Sequence, residues 1–92
     1  MSARLSVLAV DDERPALDDL ARLLRDHPDV ARLEVASSGP EALQKLSEDA
    51  FDAIFLDVRM PGLDGVELAR VLRNFASPPC VIFVSAYESA AV

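Results

Sequence analysis

The feature that most constrains this chain is an alternation: short apolar runs of strand length separated by segments whose hydrophobic residues recur at helical spacing. The first run, Leu5 with Val7, Leu8, Ala9 and Val10, is nearly continuous, as expected of a strand buried on both faces of a parallel sheet. It ends abruptly in Asp11-Asp12-Glu13. From Pro15, early enough for a helix to tolerate it, Leu17, Leu20, Ala21 and Leu24 recur on one face, while Asp18, Arg22 and Asp26 are spaced as i,i+4 pairs on the other. His27-Pro28-Asp29 stops this helix, and Leu33, Val35 and Ala36 make a short second strand. Ser38-Gly39-Pro40-Glu41 has capping-box spacing, and Leu43 and Leu46 follow on one face of a second helix. Asp52 leads into Ala53, Ile54, Phe55 and Leu56, a third buried strand that ends at Asp57. Asp64-Gly65-Val66-Glu67 can start a third helix with Leu68, Val71, Leu72 and Phe75 inward. Residues 74–79 break it, and Cys80 to Val84 form a fourth strand ending at Ser85. Glu88 to Val92 reads as the first turn of another helix. The order β-α-β-α-β-α-β with short connections predicts an α/β fold, a parallel sheet with right-handed crossovers.

Composition narrows the partners. A chain of 92 residues allows one domain, and 51% hydrophobic with 27% charged residues excludes disorder and collagen-like repeats. With 9 Lys+Arg against 16 Asp+Glu the net charge is -7, so little here can neutralise phosphates. Direct contact with nucleic acid or an anionic membrane is disfavoured, and cations fit better. The single cysteine, Cys80, cannot form an internal disulfide and reads as a buried apolar thiol, which suits a reducing, cytoplasmic compartment. The run Leu5 to Val10 is too short to span a membrane, and no targeting segment is visible.

In parallel α/β sheets, ligands bind outside the carboxyl ends of the strands. Strand one ends in Asp11 and Asp12, strand three in Asp57 and strand four in Ser85. If strands one and three are neighbours, three carboxylates converge, which is unfavourable without a cation. Mg²⁺ suits such a place, being a hard ion that takes one or two carboxylates, keeps several waters and binds phosphate as well. Without it at least one of the three pKa values should rise. A carboxylate beside Mg²⁺ can also attack phosphorus and become an aspartyl-phosphate. The plainer reading makes Asp11, Asp12 and Ser85 helix caps, His27 a surface residue and Met60 packing.

The Val10-Asp11-Asp12-Glu13 step, the segment from Leu56-Asp57-Val58-Arg59-Met60-Pro61-Gly62 to Leu63-Asp64-Gly65, and the Val84-Ser85-Ala86 end together resemble the receiver domain of bacterial two-component response regulators. The resemblance runs across residues 1–92, and the segment around Asp57 is its most specific part. It implies a flavodoxin-like parallel sheet, of order 2-1-3-4 in this chain. It also implies that Asp57 takes a phosphoryl group from a phosphohistidine on a sensor histidine kinase. By the same resemblance, Asp12, Asp57 and the backbone carbonyl of Arg59 bind Mg²⁺, and Asp11 supports them through a metal-bound water. Ser85 matches the switch hydroxyl that hydrogen-bonds the phosphoryl oxygens, and Ala86 leaves room for them. Pro61 and Gly62 shape the loop after the nucleophile, and the side chains of Arg59 and Tyr87 match positions that tune phosphoryl lifetime. Asp-Asp-Glu-Arg-Pro-Ala-Leu, residues 11–17, resembles regulators with a LytTR-type DNA-binding output domain, so transcription regulation would belong to a part outside this chain.

The chain also departs from the family. A complete receiver has a fifth strand carrying a lysine followed by proline, then a fifth helix, whereas no lysine follows Lys45 here. The expectation is a receiver domain truncated after strand four, with slower phosphorylation of Asp57 for want of that lysine. Strand four then becomes an apolar edge, and self-association through it or through the terminal segment is expected. Two alternatives stand beside this reading. A Mg²⁺-dependent aspartyl-phosphate phosphohydrolase usually carries a second acid two residues after its nucleophile, where this chain has Arg59. A pseudo-receiver would keep the fold as a binding module without phosphotransfer; the set Asp11, Asp12, Asp57 and Ser85 argues against it, while the missing lysine argues for it in this fragment.

Overall fold

A computed structural model describes residues 4–57 and 65–84. The elements run β1 (Leu5–Val10), α1 (Arg14–Arg25), β2 (Val30–Ala36), α2 (Gly39–Glu48), β3 (Ala53–Asp57), α3 (Gly65–Leu72) and β4 (Cys80–Val84). All pairings are parallel, as the alternation predicts, and the strand order is β2-β1-β3-β4, as the family resemblance implies.

Period-2 alternation divides each strand between two layers. Leu8 and Val10 of β1 and Ile54 and Leu56 of β3 are fully buried, packing with Leu46 of α2 and Leu68 and Leu72 of α3. On the other face Val7 and Ala9 lie in the layer of α1, whose buried residues are Leu17 and Ala21. Burying a leucine or isoleucine side chain here is worth about 1.5–3 kcal/mol, and the two central strands carry most of them. Asp52 ties the near ends of three strands together. Its N–H donates to Ser6 O at 2.8 Å, its Oδ2 accepts from Ser6 N–H at 2.8 Å, and its carbonyl accepts from Cys80 N–H at 3.0 Å.

Several local readings change. β2 starts at Val30, because a parallel ladder to Leu5 recruits residues whose polar neighbours, Arg32 and Glu34, hide the strand pattern. Arg22 pairs with Asp19 at 2.9 Å, an i,i+3 contact in place of the expected i,i+4 spacing. α3 ends at Leu72, so Val71 falls to the side and is 39% exposed, while Phe75 reaches the core from beyond the helix. Cys80 is exposed because it lies on an edge strand, not in the sheet interior. At the start of α2 the Ser38 hydroxyl accepts from Glu41 N–H at 3.2 Å, but the Glu41 carboxylate reaches Ser37, whose N–H donates at 2.7 Å. That N–H is the main reason the Glu41 pKa is lowered.

Candidate functional site

The site follows from the strand order. β1 and β3 are neighbours in register, with Val10 opposite Leu56. The residues just past that pair are therefore level, and they are Asp11 and Asp57. Asp12 follows where the chain turns toward α1. One carboxylate oxygen from each of Asp11, Asp12 and Asp57 lies within 4.8 Å of the others. Asp11 and Asp57 are partly buried and Asp12 is exposed.

Backbone bonds fix Asp11 at both ends. Its N–H donates to Ala36 O at 3.2 Å, holding it to the end of β2, and its Oδ1 accepts from Glu13 N–H at 3.0 Å. The second bond is an Asx-type turn that starts α1, whose N-cap residue, Glu13, makes no side-chain capping bond of its own. Part of the capping reading of Asp11 is thus realised. Asp57 is held by the ladder to β4, where it is paired with Val84.

Burial raises the Asp11 pKa from its ordinary value of 3.8. The Glu13 N–H opposes this, while the charges of Asp57 and Asp12 and a side-chain hydrogen bond with Asp57 add to it. The rise expected of crowded carboxylates is therefore present, and burial is its largest cause. A divalent cation reverses that balance. The spacing suits one: oxygens on opposite sides of a Mg²⁺ octahedron stand about 4.1 Å apart, and a bridging water extends the reach. Asp12 and Asp57 could hold Mg²⁺ directly, with Asp11 acting through water.

Of the other expected site residues, Arg59, Pro61, Gly62, Ser85, Ala86 and Tyr87 lie outside the described residues, as does Met60. Ser85 directly follows Val84, the residue paired with Asp57. Sequence reading did not anticipate the part of the Glu13 backbone in orienting Asp11. The signal was available in Asp11 standing two residues before the N-cap of a helix, Glu13, the spacing of an Asx turn. A cavity of about 360 Å³ lies at the opposite end of the sheet beside Phe51, Phe75 and Pro79, away from the aspartates.

Comparison with known proteins bears on this geometry. Residues 7–92 match the family model described as the response regulator receiver domain. The chain is 35% identical over 88 residues to the transcriptional regulatory protein YpdB of Escherichia coli, covering 96% of this chain and 36% of that protein. It is equally identical, over the same shares, to the sensory transduction protein LytT of Bacillus cereus. It therefore spans about a third of the length of these curated relatives. Among solved structures, the response regulatory domain of mrkE from Klebsiella pneumoniae superposes with a TM-score of 0.79 at 35% identity, covering 94% of this chain and 70% of that one. The receiver domain of the response regulator NarL from Mycobacterium tuberculosis gives 0.83 at 29% identity, covering 97% and 72%.

Proposed function

The chain belongs to the response regulator receiver domain family, and we propose that Asp57 is its phosphoacceptor, charged by a sensor histidine kinase in a Mg²⁺-dependent reaction. The observation that carries this reading is the convergence of Asp11, Asp12 and Asp57 at the carboxyl ends of two adjacent strands. An Asp57 carboxylate oxygen attacks phosphorus, forming a P–O bond as the P–N bond to the donor imidazole breaks, and that nitrogen keeps the electron pair.

Asp12, Asp57 and the Arg59 carbonyl would hold the metal, with Asp11 supporting them through water. Mg²⁺ supplies positive charge for the phosphoryl oxygens and offsets the crowding of the carboxylates. The Glu13 N–H, donating to Asp11 Oδ1 at 3.0 Å, would orient Asp11 for this role. Ser85 supplies a hydroxyl to the phosphoryl oxygens and Ala86 leaves them space. Arg59 and Tyr87 tune the lifetime of the acyl phosphate, and Pro61 and Gly62 shape the loop.

Receiver domains are generally not enzymes, and self-dephosphorylation is the most catalysis we assign to this one. Relatives named for transcriptional regulation and sensory transduction suggest that phosphorylation here is read in the cytoplasm by a LytTR-type output region. Contact with DNA would fall to that region, since these 92 residues carry a net charge of -7. Among the described residues no helix is long and apolar enough to cross a membrane.

Intact-mass measurement after incubation with a small phosphodonor and Mg²⁺ tests the reading. One phosphoryl addition is expected, absent in Asp57→Asn. No addition, or an addition that persists in that variant, contradicts the assignment. Sustained turnover of donor with release of phosphate would point instead to a phosphohydrolase.

A further inference from the structure

Independently of the acidic site, the cavity of about 360 Å³ is a formed cleft at the other end of the sheet. It lies between the end of α2 and the connection from α3 to β4, and its lining residues all fall within 46–51 and 75–79. Both walls follow from where helices stop. Asp49 closes α2 with its N–H on Lys45 O at 3.0 Å, and the chain reaches Phe51 just before β3 begins. After α3, Phe75 N–H donates to Leu72 O at 3.1 Å and its ring packs against the core, while Pro78 and Pro79 keep the chain from continuing as helix.

The floor is apolar: Leu46, Phe51 and Pro79 are buried and Phe75 is half-buried. The charged residues that line the cleft are two exposed acids, Glu48 and Asp49, and no Lys, Arg or His lines it. Asp49 is already engaged by Arg32 at 2.8 Å, whose guanidinium also stands 5.0 Å from the Phe51 ring centroid. The Glu48 carboxylate has no ion pair or hydrogen bond among the described residues. The carbonyl oxygens of Leu46, Ser47 and Glu48 likewise receive no N–H from the described backbone, and they form the negative pole of α2. An apolar floor beneath an acidic rim complements a cation carried next to an apolar group.

We propose that this cleft docks a protein partner through one aromatic anchor side chain flanked by arginine or lysine. The anchor covers Leu46, Phe51 and Phe75, and its basic neighbour meets Glu48 and the carbonyl end of α2. Arg32, shared between the Phe51 ring and the Asp49 carboxylate, is the same chemistry within the chain. A polypeptide suits the cleft better than a small molecule. Small-molecule pockets fix their ligand with placed polar groups, whereas no polar or charged side chain is buried among the described residues and the rim is exposed. An anchor held by its own chain needs no such groups. A second copy suits it less, because the most exposed large apolar residue, Leu23 at 70%, stands on α1 between Asp19 and Asp26 and would bring those acids to Glu48.

Amide chemical shifts of the isotope-labelled chain, titrated with the capped tripeptide arginyl-phenylalanyl-arginine, test this. Saturable shifts are expected at residues 47–51 and 75–77. Replacing the phenylalanine of the peptide by alanine should weaken binding by about tenfold, the worth of one buried aromatic anchor. Replacing both of its arginines by glutamate should abolish binding. In the chain, Glu48→Gln should weaken binding about threefold, as expected for an exposed ion pair, while Asp26→Asn, the same change of charge on α1, leaves it unaltered. Ala76→Arg, which sets a tethered cation at the rim, should prevent binding while circular dichroism keeps its α/β signature. Absence of saturable shifts at these residues up to millimolar peptide overturns the proposal. So do equal losses in Glu48→Gln and Asp26→Asn, which would mean general attraction to a chain of net charge -7. Undiminished binding in Ala76→Arg also contradicts it, and the same shifts on concentrating the chain without peptide would assign the cleft to a second copy instead.

Discussion

Acidic residues gather in two regions of this molecule, and they are handled in opposite ways. Across β2 and the end of α2, carboxylates face cations. Asp49 receives Arg32 at 2.8 Å, Glu34 receives Lys45 at 3.3 Å, and the Arg32 guanidinium also lies 5.0 Å from the Phe51 ring centroid. At the far ends of β1 and β3, Asp11, Asp12 and Asp57 face one another, and the pKa of Asp11 rises. The first region contributes to stability through its pairs. The second holds an electrostatic cost in the fold, and under the proposed function a bound cation would offset it.

The largest effects should separate the two regions by function. Neutralising Asp57 as Asp57→Asn removes phosphoryl addition in the intact-mass assay, whereas Asp49→Asn leaves it unchanged. Loss of phosphoryl addition in Asp49→Asn equal to that in Asp57→Asn would break the contrast. Next comes binding. Mg²⁺ at about 100 times its dissociation constant should stabilise the folded chain by about 2.7 kcal/mol, seen as a rise in Tm that Asp12→Asn abolishes. An equal rise in that variant would mean that the cation acts elsewhere.

Smaller effects should differ in sign. Arg32→Ala removes two partly exposed ion pairs, to Asp49 and Glu34, and a cation–π contact, so it should lower stability by about 1 kcal/mol in denaturant titration, with phosphorylation intact. Asp11→Asn should do the reverse in metal-free buffer at neutral pH, giving a small rise in Tm. The folded pKa of Asp11 is raised, so the folded state binds the proton more tightly than the unfolded one. The resulting penalty is absent below the ordinary value of 3.8 and appears as pH climbs through the folded value. The gain from Asp11→Asn should therefore vanish in acid, while the Oδ1 of asparagine can still accept the Glu13 N–H.

Most of this was legible because strand ends and strand order carry the site. The apolar runs located β1, β3 and β4, and acids at their ends were meaningful once the parallel topology was inferred. The role proposed for Asp57 rests on the resemblance of the surrounding segment to receiver domains. What the residues could not show depended on position within the sheet. Cys80 is apolar in type but stands on an edge, so it is exposed. β2 is the opposite edge, and Arg32 and Glu34 masked its first half, although both proved to be members of the cation-paired region. Val71 shares the apolar character of Leu68 and Leu72 but sits off the stripe that meets the core. Crowding implied that at least one of the three carboxylates is raised, but that it is Asp11, and that burial is the leading cause, needed the packed fold.

The central claim is that the region of mutually facing acids holds the phosphoacceptor. It is tested most directly by treating the chain with a small phosphodonor and Mg²⁺, reducing the acyl phosphate with borohydride and mapping the peptides. The account predicts conversion of aspartate to homoserine at position 57, only when Mg²⁺ is present. Conversion at Asp11, Asp12, Asp49 or Asp52, or conversion at Asp57 that ignores Mg²⁺, would contradict it.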